Sequence, residues 1–336
     1  MKKLLCLLLS LLLALSLCAC GKTQPPADGG GEAITVRLGA LKGPTAMGMV
    51  SLFDAADKGS ARQSYTYQLA GAADELTPLL LKGELDILAV PANLAAVLYN
   101  NSQGAVEMLA VNTLGVLYIV EKGEKTVTSW EDLRGQTILS SGKGASPEYV
   151  LNYLLAENGL TPGTDVTVEW KNEHAEVVAA MAQSDHAVAM LPQPFVTVAQ
   201  GKLEGLSVAL DLTAAWDALQ NGSQCITGCL VVRREFAESH PEPVETFLEE
   251  YAASTAFSTE DPAACAQLIE HYGILEKAAI AERALPYCNI VCITGADMVK
   301  AASGYLQVLF DQNPKAVGGA MPGDDFFFLP GAEADA

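Results

Sequence analysis

The fold of this chain is constrained most by a repeated succession of short apolar segments and amphipathic ones, which starts near residue 34. The apolar runs predict strands at 34–41, 65–69 and 85–90, and the segments after them predict helices over 45–56, 74–82 and 93–99. The turns between them carry Gly, Pro, Asn or Asp, which redirect the chain and cap helices. Such alternation is typical of an α/β fold with a mostly parallel sheet.

The alternation is interrupted between residues 106 and 120. Apolar stretches at 108–111 and 114–120 are joined through Asn112 and Thr113 with no helix between them, which indicates an extended crossing from one lobe to another. A second block then shows strands at 137–140, 166–170 and 187–191 and helices over 148–158 and 175–183. A second crossing is predicted at 226–232, followed by helices over 243–257, 263–272, 277–284 and 296–310.

Two crossings predict two lobes, each a mostly parallel sheet flanked by helices. Lobe 1 is discontinuous and comprises residues 34–113 and 226–330, whereas lobe 2 comprises 114–225. Both lengths are ordinary for a compact α/β unit.

The first residues indicate export. Lys2 and Lys3 precede an apolar run over 4–17, which is short for a membrane span and typical of a secretory signal. The run ends in Leu17-Cys18-Ala19-Cys20-Gly21, which resembles the bacterial lipobox and implies a signal peptide at 1–19 and a lipid on Cys20. Residues 20–33 are rich in Pro and Gly and predict a flexible tether. An ordinary signal peptide that contains cysteines is the alternative.

The charge of the chain excludes some partners. The formal net charge is −20, and loss of Lys2 and Lys3 with the signal makes the mature chain more negative still. Nucleic acids and anionic lipid surfaces bind proteins largely through Lys and Arg. We therefore expect no nucleic-acid partner, and membrane attachment through the lipid alone.

The cysteines and histidines give no clear metal or catalytic pattern. The spacing of the cysteines after Cys20 differs from that of common zinc knuckles, and their odd number argues against a complete disulfide framework; they are Cys225, Cys229, Cys265, Cys288 and Cys292. Buried thiols are the favoured interpretation, with disulfides and a metal site as alternatives. The four histidines are scattered, and we expect His174 and His186 to lie at the surface. No metal and no cofactor are predicted.

Four segments together resemble a known family. They are Leu38-Gly39-Ala40-Leu41-Lys42-Gly43-Pro44-Thr45-Ala46-Met47-Gly48, Asp57-Lys58-Gly59, Leu80-Leu81-Lys82-Gly83-Glu84-Leu85-Asp86-Ile87 and Trp130-Glu131-Asp132-Leu133-Arg134-Gly135-Gln136-Thr137-Ile138. The likeness, over about 34–310, is to type II periplasmic-binding-protein folds, in the nitrate/sulfonate/thiamine-precursor branch of substrate-binding proteins of ABC importers. It implies a non-enzymatic, monomeric protein that delivers a small solute to a permease and an ATPase.

The resemblance implies a ligand in the cleft between the lobes, and α/β sheets bind ligands where strands end and helices begin. Free N–H groups there suit an anionic group, and side-chain hydroxyls and amides add directional contacts. The candidate ligand-binding residues in these turns and on the first crossing are Lys42, Gly43, Pro44, Thr45, Ala46, Asn93, Asn112, Thr113, Ser141, Gly144, Ala145, Ser146 and Gln193. Weaker candidates for stacking on a ring are Tyr118, Tyr149 and Trp216.

Closure of the two lobes on a solute requires no covalent chemistry, since the ligand only has to bind the closed form better than the open one. Two alternatives remain at this point. One is an enzyme of cofactor-precursor metabolism with the same fold, and the other is a sensing module that reports to a membrane receptor. The sequence does not select among nitrate, a sulfonate, a pyrimidine vitamin precursor and a riboflavin-like ring.

Overall fold

A computed structural model describes residues 34–330 of the chain. The predicted signal peptide, the tether and the lipidated Cys20 lie outside the described residues. Within them the strands form two sheets. The first is ordered β11-β4-β10-β3-β1-β2, and its strands are β1 (Thr35–Leu41), β2 (Ser64–Ala70), β3 (Ile87–Pro91), β4 (Val106–Leu114), β10 (Ile226–Arg233) and β11 (Ile290–Ile293).

The second sheet is ordered β7-β6-β8-β5-β9. Its strands are β5 (Leu117–Lys122), β6 (Thr137–Ser141), β7 (Thr167–Lys171), β8 (Ala187–Pro192) and β9 (Leu206–Asp211). In each sheet three strands are parallel, β1 with β2 and β3, and β6 with β7 and β8. The strand that arrives from the other sheet, β10 or β5, is antiparallel to its neighbours.

Helices flank both sheets, which confirms the predicted α/β class. Those before β10 are α1 (Pro44–Met47), α2 (Val50–Asp57), α3 (Ala73–Leu81), α4 (Ala92–Asn101), α5 (Ser146–Glu157), α6 (His174–Ala182), α7 (Phe195–Lys202) and α8 (Leu212–Ala218). Those after it are α9 (Arg234–Ser239), α10 (Pro241–Glu260), α11 (Pro262–His271), α12 (Ala278–Ala284) and α13 (Gly295–Gln312). None of the helices within 34–330 has the length and apolar character to cross a membrane.

The crossings between the sheets differ in part from the prediction. The first occurs at Gly115 and Val116, directly after β4, so Asn112 and Thr113 are buried inside that strand. The second was wrongly assigned to residues 226–232. These form β10, which lies entirely in the first sheet between β3 and β4, and the chain crosses in the segment before it. The predicted boundaries of two separately moving lobes stay a prediction.

The predicted helix over 45–56 is two helices, α1 and α2, because the chain turns at Gly48. A Cβ there would lie 2.8 Å from Ile290 Cγ2 and 3.1 Å from Tyr251 Oη. The prediction also missed β9 and β11. β11 is only four residues long and follows Asn289, whose positive φ of 45° turns the chain into the strand.

One apolar core reaches both sheets. Leu151 of α5, Trp216 of α8 and Tyr305 of α13 are fully buried in it, together with Val111 of β4. The rings of Trp216 and Tyr305 lie 5.7 Å apart between centroids. Each buried aromatic or aliphatic side chain contributes about 1.5–3 kcal/mol, so the packing of α13 against helices of both sheets stabilises the arrangement that the structure shows.

Candidate functional site

The starts of α4 and α5 meet, although they follow strands of different sheets. Asn93 lies in the first turn of α4, after β3, and Ser146 is the first residue of α5, after β6. Ser146 Oγ donates a hydrogen bond of 2.8 Å to Asn93 Oδ1. Asn93 Nδ2 in turn donates to the carbonyl of Ala316 at 3.3 Å. Two of the predicted ligand-binding residues are thus in direct contact with each other.

A second group of predicted residues gathers around α1. Asn112 Nδ2 donates to the Thr45 carbonyl at 3.2 Å, and Thr113 Oγ1 donates to Asn112 Oδ1 at 3.1 Å. Thr45 Oγ1 donates to the carbonyl of Leu41 at 2.9 Å. The strand β10 packs closely against this group at Gly228, where a Cβ would lie 2.5 Å from Thr45 Cγ2. The polar atoms of the group are satisfied largely by the chain itself.

The turn before α1 is built around Gly43. Its φ of 136° is one that other residues rarely adopt, and Pro44 then begins the helix without needing an N–H partner. Lys42 is exposed, whereas Ala46 is fully buried and its N–H donates to the Gly43 carbonyl at 3.0 Å. Of the turn residues at 42–44, only Lys42 offers a charge to a solute.

The loop between β6 and α5 is occupied in part by its own side chains. The N–H of Gly144 donates to Glu148 Oε2 at 2.6 Å, so a carboxylate already faces this end of the helix. Ala145 occupies the N-cap position, where it offers no side-chain cap. The buried Ser141 Oγ lies 2.6 Å from His174 Nδ1, at hydrogen-bond distance.

His174 was expected at the surface, and this expectation was wrong. Its ring is half-buried and packs on Phe195, with 4.7 Å between ring centroids. Burial lowers the pKa of His174, so the imidazole is neutral at neutral pH. His174 is the first residue of α6, shortly after β7, and its place at a helix start was a signal that could have identified it, because other candidates were chosen at such positions.

His186 lies at the other edge of the second sheet, beside Glu121. Its Nε2 is 2.9 Å from Glu121 Oε1. Burial opposes ionisation of Glu121, but hydrogen bonds from Thr126, His186 and Val127 outweigh it and keep the pKa of this carboxyl below its usual value. This pair therefore anchors the loop after β5 and has no part in the candidate site.

Gln193 points its side chain towards α7. Its Oε1 accepts hydrogen bonds from Thr197 Oγ1 at 2.9 Å and from the Thr197 N–H at 3.4 Å. Its own N–H donates to the Val116 carbonyl at 2.9 Å. The peptide bond to Pro194 is cis. Gln193 therefore caps a helix beside the first crossing, and its predicted contact with a solute stays a prediction.

The three weaker aromatic candidates are packed rather than open. Trp216 is fully buried and its Nε1 donates to Ser223 Oγ at 3.0 Å. Tyr118 Oη donates to the carbonyl of Tyr287 at 3.3 Å. Tyr149 Oη accepts from Asn313 Nδ2 at 3.0 Å. All three side chains help to join elements of the two sheets.

The five described cysteines are free thiols, and all except Cys292 are buried. Burial raises the pKa of Cys265 and Cys288 to about 12 and that of Cys292 to about 11. Burial also raises the pKa of Cys225 and Cys229. A thiol of such a pKa is a poor metal ligand and nucleophile, and no group of His, Cys, Asp and Glu between residues 34 and 330 could hold a metal ion.

Comparison with known proteins agrees with this architecture. Residues 61–273 match the family model described as "ABC transporter, phosphonate, periplasmic substrate-binding protein". No curated protein matches the sequence.

Solved structures of ABC-transporter proteins share the fold. An ABC transporter protein from Parabacteroides distasonis is 22% identical, with a TM-score of 0.74 over 88% of this chain and 99% of that one. The periplasmic aliphatic sulphonate-binding protein SsuA from Escherichia coli is 17% identical, with a TM-score of 0.71 over 88% and 92%. The alkanesulfonate-binding protein SsuA from Xanthomonas axonopodis, bound to MOPS, is 17% identical, with a TM-score of 0.62 over 87% and 96%. The type II periplasmic-binding-protein fold predicted from the sequence is confirmed.

Proposed function

Because the chain belongs to the family of periplasmic substrate-binding proteins of phosphonate ABC transporters, we propose that it binds its solute between the starts of α4 and α5. The family works outside the cytoplasm with a permease and an ATPase, and its members bind rather than transform their substrates. The predicted enzyme alternative is thereby set aside.

The hydrogen bond between Ser146 and Asn93 is the observation that carries this proposal. It joins a helix start of the first sheet to a helix start of the second. A solute that inserts here replaces the hydrogen bond between Ser146 and Asn93 by contacts to both helix starts. It therefore binds most tightly when residues 34–113 and 226–330 close on residues 114–225, because only the closed form makes both sets of contacts.

We propose a small phosphonate or a related oxyanion as the solute. The aligned peptide dipoles give the N-terminal ends of α4 and α5 a partial positive charge, which favours an anion. The hydroxyls of Ser146 and Ser141 and the amide of Asn93 add hydrogen-bonding groups. The carboxylate of Glu148 repels an anion at the start of α5. The cations near the helix starts are Lys143, in the loop before α5, and Lys42, in the turn before α1. Thr45, Asn112 and Thr113, which are joined to one another by hydrogen bonds beside α1, are proposed as further residues of this site.

The mature chain is proposed to be a monomer that is held at the membrane by a lipid on Cys20. The lipobox resemblance and the Pro- and Gly-rich segment after Cys20 support this attachment. Labelling of growing cells with a radioactive fatty acid tests it. The label should appear in the wild-type protein and be lost in Cys20→Ala, whereas Cys18→Ala should keep it. Label that persists in Cys20→Ala contradicts the assignment.

A thermal-shift screen tests the solute class. The panel contains methylphosphonate, methanesulfonate, nitrate, hydroxymethylpyrimidine and riboflavin. A solute at 100 times its Kd stabilises the folded state by about 2.7 kcal/mol, so the melting temperature should rise by several degrees with one of the oxyanions. Ser146→Ala should reduce this rise, while Ser60→Ala, at an exposed serine after α2, should not. Equal rises in both variants contradict the proposed site.

A further inference from the structure

The side-chain amide of Asn93 has a fixed orientation. Its Nδ2 donates to the carbonyl of Ala316 at 3.3 Å, and its Oδ1 accepts from Ser146 Oγ at 2.8 Å. A backbone carbonyl oxygen can only accept, so the nitrogen of the amide faces Ala316 and the oxygen faces Ser146. The start of α4 therefore presents a hydrogen-bond acceptor towards the start of α5.

The segment that carries Ala316 is held against α4 by further hydrogen bonds. Asn100 lies two turns after Asn93 on the same face of the helix. Its Nδ2 donates to the carbonyls of Val317 at 2.7 Å and Ala320 at 2.8 Å. Ala316 and Val317 are both buried. These contacts keep the Ala316 carbonyl in place, and the amide of Asn93 would lose its bond to that carbonyl if it turned over.

The acceptor on Asn93 lies where a solute can reach it. Asn93 and Ser146 are both partly exposed. The Ser146 hydroxyl can donate or accept, whereas Asn93 Oδ1 can only accept, so a solute that takes the place of their bond has to supply a donor to Asn93. The two side-chain oxygens are only 2.8 Å apart. The groups of the solute that meet them therefore belong to one head group, as two oxygens on one phosphorus do.

We propose that Asn93 is a specificity-determining residue, which selects an oxyanion that keeps a proton, such as a phosphonate monoanion, against a sulfonate, which keeps none. The proposal rests on the proposed function and deepens it. The P–OH group of a phosphonate monoanion donates to Asn93 Oδ1, and an unprotonated oxygen of the same head group accepts from Ser146. All three oxygens of a sulfonate only accept. A sulfonate leaves Asn93 Oδ1 unpaired beside a negative oxygen and is rejected.

Titration calorimetry on the intact chain tests this selection with two probes of the same shape. At about pH 6 methylphosphonate retains one proton, whereas methanesulfonate has none. Wild type should bind methylphosphonate at least about tenfold more tightly, the equivalent of one hydrogen bond. Asn93→Ala removes the acceptor and should bring the two affinities within about threefold of each other. Asn93→Asp keeps an acceptor here and should retain the preference, although its charge weakens the binding of both anions.

Asn100→Ala is the matched control, because it removes two hydrogen bonds to the same segment and leaves Asn93 in place. It should lower the melting temperature, but its preference for methylphosphonate should stay within about twofold of that of wild type.

The outcomes separate this proposal from the proposed function. Equal affinity of wild type for both probes, or a preference that survives in Asn93→Ala, would overturn the role of Asn93 and leave an oxyanion site intact. A preference that is lost equally in Asn100→Ala or in Asn93→Asp would also overturn it, because the acceptor would then not be its cause. If wild type binds neither probe, both the oxyanion assignment and this proposal fail.

Discussion

The substitution Gly228→Ala tests how tightly β10 packs against Thr45 and Asn112. A Cβ at Gly228 would lie 2.5 Å from Thr45 Cγ2 and 2.7 Å from Asn112 Oδ1, distances well inside van der Waals contact. Neither atom can yield easily. Thr45 is tied through its hydroxyl to Leu41, and the side-chain amide of Asn112 is tied to the Thr45 carbonyl. Overpacking of this kind costs about 1–3 kcal/mol.

Urea unfolding measures the effect of Gly228→Ala on the free energy of unfolding. We expect a loss of about 1–3 kcal/mol and weaker solute binding, since Thr45 and Asn112 must move apart. Gly201→Ala is the matched control. Gly201 lies in α7, and a Cβ there meets nothing within 4 Å, so alanine should stabilise the helix by up to about 1 kcal/mol. If both variants have the stability of wild type within about 0.5 kcal/mol, the reasoning from this contact is wrong.

Three further variants test single interactions. Glu148→Gln removes the charge of the carboxylate that accepts a hydrogen bond from the Gly144 N–H. Titration calorimetry should then show roughly threefold tighter binding of the oxyanion. Unchanged or weaker binding would contradict an anion at the start of α5. Burial lowers the pKa of His174, so the folded state binds fewer protons than the unfolded state and the free energy of unfolding falls as the pH drops below about 6.5. Urea unfolding at several pH values should show a smaller fall for His174→Gln than for wild type. An equal fall in both proteins would refute this reasoning. Lys122 Nζ donates to three carbonyls at the end of α6. Lys122→Met should therefore lower the free energy of unfolding, measured with urea, by about 1 kcal/mol. No loss would show that water replaces these hydrogen bonds at no cost.

Much of the fold could be predicted from the sequence because its central strands are buried on both faces. β3 and β8 are continuous apolar runs bounded by Pro and Asn or Gln, so their positions were visible. The second crossing could not be located by the same signal. β10 is equally apolar, and an apolar run does not reveal to which sheet its strand belongs.

The candidate site divides in the same way. Asn93 and Ser146 were identified because each stands where a strand gives way to a helix, but their contact depends on how the two sheets face each other. His174 was missed because the histidines were assessed by metal-ligand spacing, which they lack, and not by their place at a helix start.

The central claim is that two bodies close on a solute at Asn93 and Ser146. Spin labels on Leu81→Cys and Val208→Cys test it most directly, because both positions are exposed and they lie on elements of different sheets. Pulsed electron resonance should give a broad distribution of label distances in the free protein. A saturating solute should reduce it to one shorter distance, and Ser146→Ala should require more solute for the same change. A distribution that the bound solute leaves unaltered would contradict closure.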